Sequence, residues 1–454
     1  MSNLLTIIPP WLIILLTVFG VVLGVVAYLI LLERKVASWV QDRIGPNRVG
    51  PRGLLQPLAD GVKMFTKEDY RSPGTDKVLF TLAPALMMVV VLVAMAVIPW
   101  GGIFQGTRTF AATAGQDPAA IAQTLIPLGA TIAGAVAPTA NANEYIATYR
   151  FAFQITDLNL GIIFVLAVLS MAVYGPVLAG WASNNKFSFL GAIRAAAQMI
   201  SYEVPLGLTI VTMVLMFGTF SLADIANAQA HMWAGVIPAW NIFCQPLAFM
   251  MFLICLHAEA NRAPFDLAEC EQELVGGYHT EYTSMRLGLL LMGEYVEMFV
   301  TSAVLVALFL GGWHFPGLTG NVDANNPAVT TSMVTILLRC GVYFIKILAV
   351  ITVFMWVRWS LPRFRYDQLM NLSWRALVPI SMCIMLASAW VMYYFHEAGG
   401  RMTINGKQAI VLLGVNAALV AVFAGFGWLM PTPKINRRIN IPGSRFGNDV
   451  TVSA

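Results

Sequence analysis

The chain has 454 residues, of which 58% are hydrophobic and only 11% charged, with a mean hydropathy of +0.73. Ordinary soluble domains carry about 25% charged residues, so this composition excludes a soluble protein and indicates a chain solvated largely by lipid. No nucleic-acid partner is expected. Cys244, Cys255, Cys270, Cys340 and Cys383, and the equally scattered His231, His257, His279, His314 and His396, lack the clustering that zinc or iron–sulfur ligands need.

A spanning helix needs about 20 apolar residues. In chain order the candidate spans are 11–32, 78–99, 158–181, 191–218, 242–258, 287–311, 329–357, 376–395 and 408–430. The first lacks a basic n-region and a small-residue cleavage site, and reads as a retained helix rather than a signal peptide. With these nine spans, 21 of the 27 Lys and Arg fall in loops 33–77, 182–194, 259–286 and 358–375 and in the tail after 431. The positive-inside rule makes that side cytoplasmic, with the N-terminus outside and the C-terminus inside. Segment 119–137 is uncharged, but counting it as a span would erase this asymmetry. The stretch 100–156 is therefore expected to be an external insertion, with a short helix or hairpin on the membrane. The predicted fold class is all-α: a polytopic membrane protein of about nine transmembrane helices with an amphipathic surface helix in its first cytoplasmic loop. Its expected organisation is 1–99 (two spans and loop 33–77), the insertion 100–156, 157–395 (core spans and the acidic loop 259–286), and an extension 396–454 with the ninth span and a basic tail.

The first loop reads ERKVASWVQDRIGPNRVGPRGLLQPLADGVKMFTKED from Glu33. Gly45, Pro46, Gly50, Pro51 and Gly53 predict rigid turns, and no Lys-Ser/Thr follows them, so this is not a phosphate loop. Leu54, Leu58, Val62 and Phe65 then share one helical face, with Asp60 and Lys63 off it, as in a helix lying along a membrane surface. Arg34, Arg43, Arg48 and Arg52 place donors beside an apolar passage, which suits either the polar head of a lipidic substrate or lipid headgroups.

Glu203 lies mid-span, two residues before Pro205, which frees a backbone carbonyl there. Glu259, Asp266, Glu269, Glu271, Glu273 and Glu281 crowd the loop that follows the fifth span. Glu269 and Glu273 would repel on a common helical face; a solvated acidic loop accounts for them equally well. It does not account for Glu294, about 10 Å into its span, or Glu297, about one turn deeper. Acids at such depth are expensive unless they face a cavity, a partner or a proton path, and burial favours their neutral form. Arg339 and Lys346, two turns apart on one face, are the expected basic partners of a charge relay, against the simpler reading of structural ion pairs.

The first loop, the stretch GPVLAGWASNNKFSFLGAIRAAAQMISYEVPLGL and the stretch ANRAPFDLAECEQELVGGYHTEYTSMRLGLLLMGEY resemble the H subunit of proton-pumping NADH:quinone oxidoreductase, the family of mitochondrial subunit 1. The resemblance runs from the first span to about residue 395, omitting 100–156. It implies a subunit at the heel of a respiratory membrane arm, forming much of a quinone chamber. It implies no redox cofactor on this chain, with FMN and iron–sulfur clusters on hydrophilic partners and antiporter-like subunits further along the membrane. Carried over position by position, Glu33, Arg34, Arg43, Asp60 and Phe265 match quinone-site residues. Glu203, Glu259, Glu281 and Glu294 match the polar channel for protons. Asp266, Glu269, Glu271 and Glu273 match the acidic loop facing the hydrophilic arm. The expected setting is a bacterial plasma membrane. Two other readings stay open at this stage: a stand-alone ion transporter, and the equivalent subunit of a hydrogenase-like or ferredoxin-linked complex.

Overall fold

The computed structural model describes residues 10–111, 131–132, 137–138, 144–233, 235, 237–267, 275–319, 329–395 and 404–429. Helix α1 (Pro10–Val40) has 31 residues and at 1.5 Å each reaches about 46 Å, more than the hydrocarbon core it crosses. The loop that follows turns at Gly50 and Gly53, whose φ values of 71° and 80° suit glycine. A Cβ on Gly53 would also lie 2.1 Å from the Pro46 carbonyl oxygen. The amphipathic helix α2 (Gln56–Thr66) follows. Leu58 and Phe65 are 67% and 73% exposed on it, as expected of a face laid on lipid.

Helix α3 (Lys77–Ala94) begins at Asp76, whose carboxylate accepts from the Val78 and Leu79 amides. Helices α4 (Gly161–Ala172) and α5 (Tyr174–Ala182) form the next pass. Helix α6 (Lys186–Phe217) is capped by Asn185 and ends at Gly218 in the left-handed conformation. Pro205 within α6 cannot bond the Ser201 carbonyl, and that carbonyl accepts instead from the Ser373 hydroxyl at 2.7 Å. After α7 (Leu222–Ala228) the chain makes α8 (Asn241–Cys244) and α9 (Pro246–Glu259). The remaining helices are α10 (Ser284–Phe309), α11 (Met333–Ser360), α12 (Tyr366–Leu372), α13 (Val378–Tyr394) and α14 (Gly406–Leu429).

Among the described residues eight helices are long and apolar enough to cross a membrane. The expected span 242–258 is shorter than its sequence suggests. Pro246 has no amide hydrogen and pushes Gln245 out of helical geometry, so only α9, 14 residues long or about 21 Å, is continuous. It still links opposite ends of the bundle. At one end the His231 and Trp233 side chains bond the Ile404 carbonyl (3.1 and 2.9 Å), and Ile103 pairs with Val329. At the other end the Phe364 amide donates to Pro264, the Ser284 hydroxyl to Met64 and Lys67, and the Asp76 amide to Ala182.

The insertion contains a small sheet. Strands β1 (Ile103–Ala111) and β4 (Glu144–Ala152) pair antiparallel from Ile103↔Ala152 to Ala111↔Glu144. The short β2 (Thr131–Ile132) and β3 (Ala137–Pro138) add to β4. A separate two-stranded ribbon, β5 (Met232–Trp233) with β6 (Ile237–Pro238), precedes α8, and β7 (Val329–Thr330) runs parallel to β1.

Helix α10 is the axis of the bundle, packed against α1, α2, α3, α7, α9 and α11. Its C-terminal carbonyls end inside protein, and polar side chains answer them. Gln229 donates to Ala307 and Leu308 (3.0 and 3.2 Å) and Asn241 to Leu308 (2.6 Å). Lys346 donates to Leu310, Gly312 and His314 (2.6, 3.0 and 2.7 Å), with its ammonium 4.4 Å from the Trp240 ring centre. Arg339 reaches the Thr319 carbonyl at the same end. The expectation that Arg339 and Lys346 pair with the buried acids is therefore corrected: they sit at the opposite end of α10 and hold its terminal loop.

Burial, reinforced by the charges of Arg339 and Lys346, pushes the His314 imidazole down to about 3. A folded-state value below the unfolded one means that the unfolded chain binds the proton first, so stability falls as pH drops below about 6.5 towards the folded value. Thermal melting of the purified chain across that range is expected to show this slope, and His314→Asn to flatten it. An unchanged slope in the variant would contradict the assignment.

Candidate functional site

A cavity of about 760 Å³ opens between the end of α1, helix α2 and the N-terminal half of α10, within the size range of small-molecule sites. Leu31, Leu287, Leu291 and Met292 supply apolar wall, and Glu33, Arg34, Arg43, Asp60, Arg262 and Arg358 supply charge. Four of the five expected quinone-site residues are on this wall. Arg34 and Asp60 form an ion pair at 2.7 Å near the opening, and Gln56 donates to the other Asp60 oxygen at 3.0 Å. Phe265 is elsewhere: its ring lies 5.6 Å from Tyr202 and 5.5 Å from Phe364, behind the loop.

Glu33 is the inner group, 6% exposed. The Tyr295 hydroxyl donates to it at 2.6 Å, Arg358 donates to its other oxygen, and Arg262 approaches to 4.0 Å. The Arg262 guanidinium lies 4.1 Å from the Tyr295 ring centre and 3.4 Å from Glu294. It thus touches both the cavity and the acid beyond it. Tyr278 donates to Glu294 at 2.5 Å.

The acids then continue into the bundle. Glu294 and Glu297 are each 0% exposed and Glu259 is 8% exposed. Glu297 lies in the field of Glu259, Glu294 and Arg262, and Glu259 in that of Glu203. Glu203, half-buried, accepts from the Ser170 hydroxyl of α4. The turn after α9 that presents Arg262 is fixed by buried Gln198, which donates to Ala258, Asn261 and Phe265 (2.6, 3.2 and 2.7 Å). Glu281 stands apart, half-buried at the loop end of the bundle, accepting from Asn185 at 2.9 Å.

Of the acidic-loop residues, Asp266 is buried and paired with Arg363 at 2.7 Å, so it anchors the loop. Glu269, Glu271 and Glu273 lie outside the described residues. Among the described residues no group of three His, Cys, Asp or Glu is placed to hold a metal ion. Sequence pattern alone does not single out Tyr278, Tyr295, Arg262 and Arg358 as site residues, although Arg262 and Tyr278 lie within the third motif and Tyr295 closes it. Arg358 carries no local signal, because it meets Glu33 from 325 residues away.

A family model described as NADH dehydrogenase matches residues 13–389. The H subunit of the NADH-quinone oxidoreductase of Flavobacterium johnsoniae is 44% identical over 381 residues, covering 84% of this chain and 94% of that protein. An H subunit of the NADH-quinone oxidoreductase of Cytophaga hutchinsonii is 43% identical over 384 residues, covering 84% and 96%. The chain belongs to the NADH dehydrogenase family. The family match includes every cavity residue and buried acid described above, and ends before α14.

Glu33 is buried and takes the Tyr295 hydroxyl as a close donor. Replacing a donor to a buried charged group costs about 1–3 kcal/mol. Tyr295→Phe is expected to lower the melting temperature of the purified chain accordingly. An unchanged melting temperature would mean that the hydroxyl is not needed there.

Proposed function

We propose that this chain is the membrane subunit of a proton-translocating NADH:quinone oxidoreductase, the multi-subunit respiratory complex I. It forms the chamber in which a membrane quinone is reduced. The observation that carries this reading is the continuity from an amphipathic cavity at the membrane surface, through Arg262, to acids buried in the bundle. A lipid-soluble substrate with a polar head needs both kinds of wall. Glu33, Arg34, Arg43 and Asp60 meet the head region, while Phe265 steadies the loop behind it. The names of the matched relatives support the same reading.

The quinone takes two electrons and two protons to become the quinol. The electrons come from partner subunits, which hold FMN and iron–sulfur clusters; this chain contributes the cavity and the acids. Docking of a hydrophilic arm suits the loops 33–77 and 259–286, including Glu269, Glu271 and Glu273. Antiporter-like subunits lie further along the membrane. The setting is a bacterial plasma membrane, with loops 33–77 and 259–286 on the cytoplasmic side and the N-terminus periplasmic. The lopsided distribution of Lys and Arg supports that orientation. These large loops also favour a component of a larger assembly over a stand-alone transporter, which needs no such docking surface.

The proton path runs among Glu281, Glu294, Glu259 and Glu203. Arg262 is shared by Glu33 and Glu294, so a change of charge in the cavity alters the field on the first buried acid. This hypothesis couples reduction to translocation by electrostatics alone. Glu203→Gln with Glu281→Gln is expected to depress protons moved per electron in reconstituted vesicles; an unchanged ratio and turnover would remove the path.

The chamber itself is tested by Arg34→Met in the assembled complex. Loss of a charge-assisted contact is expected to raise the quinone KM about tenfold, while NADH oxidation by a water-soluble acceptor is unchanged. An unaltered KM would take Arg34 out of the chamber.

A further inference from the structure

The proton path leaves a gap between helices. Glu294 belongs to α10, whereas Glu259 ends α9, and the acid on α6, Glu203, is reached only beyond Glu259. Glu297 stands between them. It follows Glu294 by three residues, a rise of about 4.5 Å on a neighbouring face. It is completely buried, and neither of its carboxyl oxygens has a hydrogen-bond partner among the described residues. The groups whose charge it feels are Glu259, Glu294 and Arg262.

A packing role does not explain this residue. A buried carboxyl group without hydrogen-bond donors is among the most costly groups a protein can hold. A leucine or methionine would fill the same space without that cost. The nearby Thr301 hydroxyl bonds the Glu297 backbone carbonyl at 2.9 Å and not its carboxyl, so the carboxyl is not built into a local cap. What distinguishes the position is an acid on each side.

Resting on the path proposed above, we infer that Glu297 is a further proton-holding group of this chain, joining the acids of α10 to those of α9 and α6. In each transfer an O–H bond on one carboxyl breaks as an O–H bond on the next forms, and no electron moves. The proton passes between Glu294 and Glu297, then between Glu297 and Glu259, in the direction set by the charge of the cavity.

The test uses the assembled complex in vesicles, comparing Glu297→Gln, Glu297→Asp and Glu259→Gln. Glu297→Gln is expected to lower quinone-linked turnover and proton translocation about tenfold or more, a modest share of what positioned proton transfer contributes because conformational steps also limit such enzymes. Subunit composition and NADH oxidation by a water-soluble acceptor stay unchanged. Glu297→Asp restores translocation. Infrared difference spectra on quinone reduction lose a C=O band of a neutral carboxyl in Glu297→Gln, a change that a purely structural residue would not produce. If Glu297→Gln does not assemble, the smaller Glu297→Asn takes its place with the same expected results. Normal translocation and an intact band in the amide variant, with Glu259→Gln inactive, would overturn the role of Glu297 and leave the wider path standing. Normal translocation in both would overturn the path as well.

Discussion

Helix α10 is buried along most of its length, so protein must answer its polar groups where neither water nor lipid can reach them. The arrangement around it follows from that. At its C-terminal end the final carbonyls cannot be solvated, and Gln229, Asn241 and Lys346 converge from the end of α7, from α8 and from α11 to meet them. Those bonds fix where three other helices lie. At its N-terminal half the helix carries Glu294 and Glu297, and the same requirement draws Arg262 and Tyr278 towards Glu294. The cavity lies where this half meets α1 and α2.

The turn after α9 is the second element on which the site depends. Gln198, buried on α6, holds three acceptors from residues 258–265, and Asp266 is tied to Arg363. Arg262 is presented from a turn braced on both sides. A guanidinium between two carboxylates has value only if its position is fixed, since the attraction falls with distance and the cost of burying the charges does not. The Tyr295 ring beneath it adds a face on which the guanidinium rests.

Much of this was legible in the sequence, and the failures have physical causes. The spans, the amphipathic α2 and the glycine-rich turn follow from composition and periodicity. Pro205 announced a freed carbonyl, but its partner Ser373 lies 172 residues from Ser201 and could not be read from local pattern. Arg339 and Lys346 were wrongly joined to the acids: sequence gives the depth of a charge along its own helix but not which end of a neighbouring helix it meets. The 242–258 span was overestimated because its apolar run hides the break that Pro246 imposes. The insertion was expected to hold a short helix or hairpin, and it holds a long antiparallel pair widened by short strands. Its two long strands are separated by an Ala-, Gly- and Thr-rich stretch that raised a different question, whether the segment spans. Glu33, Arg34, Arg43 and Asp60 line one cavity, and their closeness in one stretch of sequence made that grouping legible. Phe265, grouped with them through its motif, does not line the cavity but packs against Tyr202 and Phe364.

The two ends of α10 treat charge in opposite ways, and that contrast bears on function. Lys346 is surrounded by three carbonyls and the face of Trp240, and these contacts hold the loop after α10 in place. Around the other half, Arg262 is shared by Glu33 and Glu294, Arg358 bonds Glu33, and Glu297 lies beyond them with no hydrogen-bond partner for its carboxyl among the described residues. In the path proposed above, one end of α10 is a joint held by bonds to main-chain carbonyls, and the other half carries the carboxyl groups that pass the proton.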